Sequence, residues 1–223
     1  MAMLLADRTI IVTGANGALG RVVATIAAGH GARVIEFDLA FEADAENRYV
    51  VDLLNPEVIA GCVETLGDVD AVFNLAGGFD MGPTVVATDA ALWTRMQHMN
   101  VDTMRNMTAA VVPAMVARGS GAIVNVGALA ARDGQANMGA YIAAKSTVMR
   151  LTETLGKELR EHGVNVNAVL PSIIDTPANR AAMPDADFAR WVHPQDLAEA
   201  ICFLGSDRAR AIHGALLPVA GLS

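Results

Sequence analysis

Residues 9–20, Thr9-Ile10-Ile11-Val12-Thr13-Gly14-Ala15-Asn16-Gly17-Ala18-Leu19-Gly20, decide the fold of this 223-residue chain. The first five are β-branched and almost continuously apolar, as in a strand buried on both faces. The run breaks into a turn of small residues and continues from Ala18 to Gly29 with helical spacing. Strand, tight turn and helix in this order form the first unit of a parallel α/β sheet. Small residues let the main chain turn sharply and let a ligand approach it. The helix that follows offers free amides and the positive end of its dipole, a natural seat for phosphate. Glycine in such a turn is a weak signal by itself, because any sharp turn favours it. The strand before it and the helix after it supply the context that gives it meaning.

Working outward, the same alternation repeats to the end. Short β-branched runs predict strands at 9–13, 33–37, 49–51, 69–74, 122–126 and 164–170, with a last strand at 215–219. Pro218 lies in the last one and cannot donate to a ladder, which places it on an edge. Longer Ala/Met/Leu-rich segments predict helices at 18–29, 56–66, 89–118, 139–162 and 194–204. The right-handed crossover rule then gives a Rossmann-like, doubly wound parallel sheet of about seven strands with helices on both faces. No repeat, low-complexity tract or linker marks a boundary, so residues 1–223 read as a single domain. The least regular stretch, 172–192, follows a strand end, where ligands bind in such sheets, and reads as a substrate lid.

Bulk composition narrows the function. Hydrophobic residues make up 53% of the chain and charged residues 18%, enough apolar surface for a large core. The net charge of −8 and an aromatic content of 4% argue against nucleic acid and anionic membrane as partners. Cys62 and Cys202 have no partner motif and read as thiols in a reducing cytoplasm. The five histidines show no metal-ligand spacing, so no metal is expected. The N-terminus lacks a signal-peptide pattern and no stretch is long enough to span a bilayer, which gives a cytoplasmic expectation.

Asp38 stands eighteen residues beyond Gly20, at the end of the second strand. A carboxylate there can accept both ribose hydroxyls of NAD and would repel the extra phosphate of NADP. No lysine or arginine lies within the glycine turn; Arg21 follows it and Arg33 begins the second strand. Asp52-Leu53 after the third strand and Asn74-Leu75-Ala76-Gly77-Gly78 after the fourth suit adenine and ribose contacts, although either stretch also reads as a plain turn. Tyr141-Ile142-Ala143-Ala144-Lys145 places a phenol and an ammonium four residues apart, on one helix face. A free tyrosine has a pKa of about 10. A nearby ammonium favours the phenolate and brings the group towards working pH. Lys145 can also reach a nicotinamide ribose.

With these elements in place the chain resembles the short-chain dehydrogenases/reductases over nearly its whole length. The resemblance rests on Thr13-Gly14-x-x-x-Ala18-x-Gly20, Asp52, Asn74-x-Ala76-Gly77, Asn100, Tyr141 and Lys145. It implies an NAD cofactor held by Gly14, Asn16, Gly17, Ala18, Leu19, Gly20, Asp38, Asp52, Leu53, Asn74, Ala76, Gly77, Tyr141, Lys145, Pro171, Ile174 and Thr176. It implies that Tyr141 is the acid/base, and that Asn100 holds a water linking Lys145 to solvent. It also implies a homodimer or homotetramer, for which the helical segments 89–118 and 139–162 are apolar on more than one face. Two departures stand out. The family's serine thirteen residues before the tyrosine is Ala128 here, with no serine or threonine between Val126 and Tyr141; and Pro171-Ser172 replaces the usual Pro-Gly. The missing serine, Val169-Leu170-Pro171 and the stretch from Asp175 to Trp191, Gly17-Ala18-Leu19-Gly20, and Ala76-Gly77-Gly78 followed by the aromatic Phe79 resemble the dihydropteridine reductase branch. Phe79, Ala128, Asn137 and Trp191 are the expected substrate contacts.

Three functions fit. The first is hydride transfer from NADH to a small conjugated C=N or C=O acceptor, a quinonoid dihydropterin among them. The second is a ketoreductase or alcohol dehydrogenase in which Asn137 or a backbone amide near Gly127 stands in for the serine. The third is a non-catalytic dinucleotide sensor, which would need only the glycine turn and not Tyr141, Lys145 and Asn100.

Overall fold

The computed structural model describes residues 3–223. All seven strands join one parallel sheet: β1 (Thr9–Thr13), β2 (Arg33–Asp38), β3 (Arg48–Val50), β4 (Ala71–Asn74), β5 (Gly121–Val126), β6 (Val164–Pro171) and β7 (Leu216–Val219). Their spatial order is β3-β2-β1-β4-β5-β6-β7, every pair parallel. The order reverses between β1 and β4, so a crevice opens beyond their carboxyl ends. β7 is an edge, as Pro218 requires.

Alternate strand residues bury themselves on opposite faces. Ile10, Val12, Phe73 and Val124 pack with Val23 and Ala27 of α1 (Ala18–Gly29) and, near the chain's end, with Leu197 and Ile201 of the helix Pro194–Leu204. Ile11, Ile35, Val72 and Ile123 pack with Ile59 of α2 (Pro56–Leu66) and with Met107, Val111 and Met115 further along. This two-residue period is what a sheet covered on both sides demands. Two buried asparagines of β6 tie the far edge. Asn165 Nδ2 donates to Leu204 O, and Asn167 Nδ2 donates to Ile212 O at 2.8 Å while its Oδ1 accepts from Ala215 N–H at 2.9 Å.

The expected helix over 89–118 is three pieces. α3 (Ala90–Gln97) passes through a π-helical segment, His98–Asp102, into α4 (Thr103–Arg118). The expected helix over 139–162 is α5 (Gly139–Leu159) with a 3₁₀ turn after it. The stretch 172–192 contains a short helix, α6 (Pro177–Ala182), before α7 (Pro194–Leu204). Asp175 and Arg180 pair through two hydrogen bonds of 2.6 and 2.7 Å, and the guanidinium lies 4.7 Å from the Phe188 ring centroid. Phe188 in turn packs on Trp191. No helix among the described residues is long and apolar enough to cross a membrane.

Candidate active site

The turn after β1 is as tight as its sequence suggested. Gly14 has φ +64°, and a Cβ there would sit 2.9 Å from the Ala76 main chain. A Cβ on Gly20 would lie 2.1 Å from Gly14 O, so any side chain would push the turn apart. No side chain caps α1 and no acidic residue lies in its first turn. Arg21 N–H reaches Gly17 O at 3.0 Å. The amides of Ala18, Leu19 and Gly20 precede it and point out of the helix end, the arrangement an anion needs.

These residues line a cavity of about 580 Å³. Of the expected cofactor contacts, Gly14, Asn16, Gly17, Ala18, Leu19, Gly20, Asp38, Asp52, Leu53, Ala76 and Gly77 share it. Asn16 N–H donates to Asp38 Oδ2 at 2.8 Å, which joins the glycine turn to the end of β2. Thr13 Oγ1 accepts from both Leu75 and Ala76 N–H at 3.1 Å and pins the loop after β4 beside the turn. Asn74 lies beneath the lining; its Nδ2 donates to Asn125 Oδ1 at 2.9 Å, and its buried Oδ1 has no partner among the described residues. Leu39, Leu54, Met99 and Thr103 also line the cavity and were not expected. Leu39 and Leu54 are chain neighbours of expected residues. Met99 lies in the π-helical segment beside the expected Asn100, and Thr103 opens α4 directly after that segment.

The chemical end gathers at the start of α5. Lys145 is 6% exposed, and its Nζ donates to Val126 O at 2.8 Å. Burial pulls its ammonium down to about 8. Tyr141 is half-buried one helical turn earlier, and burial pushes its phenol up to about 12. The expectation that Lys145 brings Tyr141 towards working pH is not met: burial moves the phenol the other way. The phenol keeps its proton at neutral pH.

Asn100 lies in the π-helical segment and is 2% exposed. Its Oδ1 accepts from Gly78 N–H at 3.2 Å, and its Nδ2 donates to Gly78 O at 3.1 Å and Met96 O at 3.0 Å. The side chain is a latch on the Gly77-Gly78 loop. A Cβ on Gly77 would be 2.8 Å from Asn100 Oδ1 and 3.4 Å from Lys145 Nζ, so both groups approach Gly77 where any other residue would place a side chain. π-helical insertions are frequent at functional sites because they re-aim one side chain.

Phe79 meets the Tyr141 ring edge-on, centroids 4.9 Å apart, and stays 56% exposed. Ala128 is buried in the same apolar cluster as Tyr141, Met149 and Leu170 and presents a methyl group there. Gly127 N–H is committed to Val169 O at 2.9 Å, so this amide cannot replace the missing serine. Asn137 has φ +62° and an exposed side chain; its carbonyl accepts from Gly82 N–H at 2.9 Å, tying its loop to the Phe79 loop. Trp191 is only 4% exposed and packs on Phe188, so its ring is not open to a ligand, as a substrate contact was expected to be. Pro171 is buried at the end of β6. Ile174 bridges to Val192, and Thr176 caps α6 by accepting from Asn179 N–H at 3.2 Å. No three-residue group of metal ligands exists among the described residues.

Comparison with known proteins agrees with this arrangement. Residues 2–221 match the family described as Enoyl-(Acyl carrier protein) reductase. The chain is 31% identical to cis-4-hydroxycyclohexanecarboxylate dehydrogenase of Sinomonas cyclohexanicum, over 99% of this chain and 98% of that one. It superposes with a TM-score of 0.89 and 31% identity on a protein described as an NAD(P)-dependent gluconate 5-dehydrogenase from Beutenbergia cavernae with bound NADP, covering 99% of this chain and 98% of that chain. Carveol dehydrogenase from Mycobacterium avium in complex with NAD superposes with a TM-score of 0.86 at 26% identity, covering 98% of each chain. With a seven-stranded parallel sheet, a glycine turn at its switch point and a Tyr/Lys pair on the helix after β5, the chain belongs to the short-chain dehydrogenase/reductase family.

Proposed function

We propose that this protein is an NAD(H)-dependent oxidoreductase that reduces a small conjugated C=N or C=O acceptor, with Tyr141 as the proton donor. The observation that carries the reading is the placing of Tyr141 and Lys145 on one face of α5, with the Ala128 methyl where the family keeps a hydroxyl. The cleft fits a nicotinamide dinucleotide on two counts. Gly14 and Gly20 let the turn close tightly enough to present its main chain to the cleft, and the first turn of α1 has uncapped amides. When bound, the dinucleotide supplies the hydride.

The chain's own residues do the rest. The α1 amides would hold the pyrophosphate and Asp38 the adenosine ribose. Lys145, charged at neutral pH, would hold the nicotinamide ribose. Tyr141 holds a proton at its Oη and gives it to the acceptor atom as negative charge develops there. A ketone concentrates that charge on one oxygen, where a fixed second donor is worth several kcal/mol. Ala128 offers none and Gly127 N–H is spent. An acceptor that spreads charge over a conjugated ring depends less on that donor, and the exposed Phe79 edge beside Tyr141 suits a flat ring.

The relatives' names favour a second reading, a simple ketoreductase or alcohol dehydrogenase in which Asn137 supplies the second donor. A panel with NADH that sets a quinonoid dihydropterin beside aliphatic ketones separates the two. Faster turnover of the conjugated acceptor is expected. Efficient reduction of simple ketones with the pterin inert overturns the first reading, together with its likeness to dihydropteridine reductases, and leaves the second. No NADH oxidation with any acceptor points to a dinucleotide sensor, against which the buried Lys145 and latched Asn100 stand.

A further inference from the structure

The rim of the cleft beside Asp38 carries an arginine and a second carboxylate that the proposed function leaves unused. Arg21, in the first turn of α1, folds back over the glycine turn. Its Nε donates to Asn16 O at 2.8 Å and its Nη2 to Asn16 Oδ1 at 2.8 Å. The same Nη2 donates to Glu42 Oε1 at 3.2 Å. Asn16 is also the residue whose N–H binds Asp38 Oδ2. One residue therefore stands between the guanidinium and the carboxylate that faces the ribose. Leu39 N–H holds the other Asp38 oxygen at 2.7 Å, so Asp38 is fixed from both sides.

A guanidinium is the side chain best shaped to hold a phosphate, and this one is already oriented by two bonds to Asn16. Left to itself it would favour a dinucleotide with a phosphate on the adenosine ribose. We infer that Glu42 is a second determinant of cofactor choice: by pairing with Arg21 it neutralises a guanidinium poised at the ribose rim and keeps the cleft selective for NAD(H). Asp38 repels the extra phosphate directly. Glu42 acts only through Arg21, as a positioning residue. The inference rests on the reading of the cleft as a dinucleotide site. The two side chains are 54% and 82% exposed, so the pair is screened and its effect modest.

The test needs no substrate. NADH and NADPH are titrated against the full chain by nicotinamide fluorescence at low and at high salt. The parent is expected to prefer NADH. Glu42→Gln should tighten NADPH about 2- to 5-fold and change NADH less than about twofold. Glu42→Lys should tighten NADPH further, and salt should shrink both gains. Adding Arg21→Ala to Glu42→Gln should return NADPH to the parental affinity, while Asp38→Ser should weaken NADH whether or not Arg21 is present. If both Glu42 variants leave NADPH unchanged while Asp38→Ser shifts the preference, the inference is overturned and the dinucleotide reading stands. A gain that survives loss of Arg21 also overturns it, because bulk charge and not the arginine would be at work. A parent that binds neither dinucleotide removes the dinucleotide reading and this inference with it.

Discussion

Replacing Lys145 by methionine separates what the lysine costs the fold from what it does in the cleft. The ammonium is buried, and burial pulls it from 10.5 to about 8. Between these values the unfolded chain keeps the proton and the folded chain has released it, so stability rises with pH across that window. Below pH 8 both states are protonated and the folded state bears the full cost of the buried charge. A gap of about 2.5 between the two values corresponds to about 3 kcal/mol at pH 7 and to under about 1 kcal/mol by pH 10. Methionine keeps an unbranched chain, one heavy atom shorter, and drops the charge. It also deprives Val126 O of its donor at 2.8 Å, a loss of about 1–2 kcal/mol. Lys145→Met should therefore be more stable than the parent by about 1–2 kcal/mol at pH 7, and should lose that advantage by pH 10. Tyr141 acts in the opposite sense: raised to about 12, it contributes stability below pH 10 that is lost towards pH 12. This contribution is common to both proteins and cancels in their difference. Urea unfolding followed by circular dichroism at pH 7, 8.5 and 10 gives the difference directly. A value that stays flat across these three pH points would refute the picture of a charged, desolvated lysine.

Tyr141→Phe should leave NADH affinity within about twofold and lower turnover about 10²–10⁴-fold, measured by NADH oxidation with the best acceptor; full activity would require another proton donor. Ala128→Ser should raise ketone reduction more than reduction of a conjugated acceptor, because it restores a donor only the ketone lacks; equal effects on both would break the link between Ala128 and acceptor class. Assembly is expected through α4 and α5, where Ala109, Pro113 and Ala117 leave a small-residue stripe of α4 exposed. Sedimentation at micromolar concentration should show a dimer or tetramer, and a monomer would contradict it.

The sheet was legible because strands buried on both faces leave unbroken apolar runs. The runs at 9–13, 122–126 and 164–170 fall within one residue of β1, β5 and β6. The glycine turn was legible for a steric reason, since only Gly fits 2.1 Å from Gly14 O. The break at His98–Asp102 was not, because helical spacing continues on both sides of it. It coincides with long-range bonds between the Asn100 amide and Gly78, 22 residues away in sequence, which local spacing cannot reveal. Trp191 illustrates a different gap: an aromatic in a lid reads equally well as pocket or as packing, and burial against Phe188 decides for packing. The pair at 141 and 145 was readable in position but not in acidity. Spacing reveals the charge four residues away and says nothing of the hydration both groups lose.

That shared loss of hydration shapes what the pair can do on the proposed reading. Burial disfavours the charged form of each group, so it raises the phenol and lowers the ammonium at once. The ordinary values, about 10 for both, would leave a proton indifferent between the two. Here the order is steep: Lys145 at about 8 is the stronger acid and Tyr141 at about 12 the stronger base once it has lost its proton. On the proposed reading, a tyrosinate formed when Tyr141 gives up its proton would be refilled from the lysine side, the direction in which burial shifts the pair. The apolar wall of Ala128, Met149, Leu170 and Phe79, which at first sight only removes a helpful hydroxyl, is part of the environment that buries Tyr141. A serine at 128 would bring a polar group into that wall and give the substrate oxygen a second donor. It would also weaken the desolvation that makes Tyr141 so retentive of its proton.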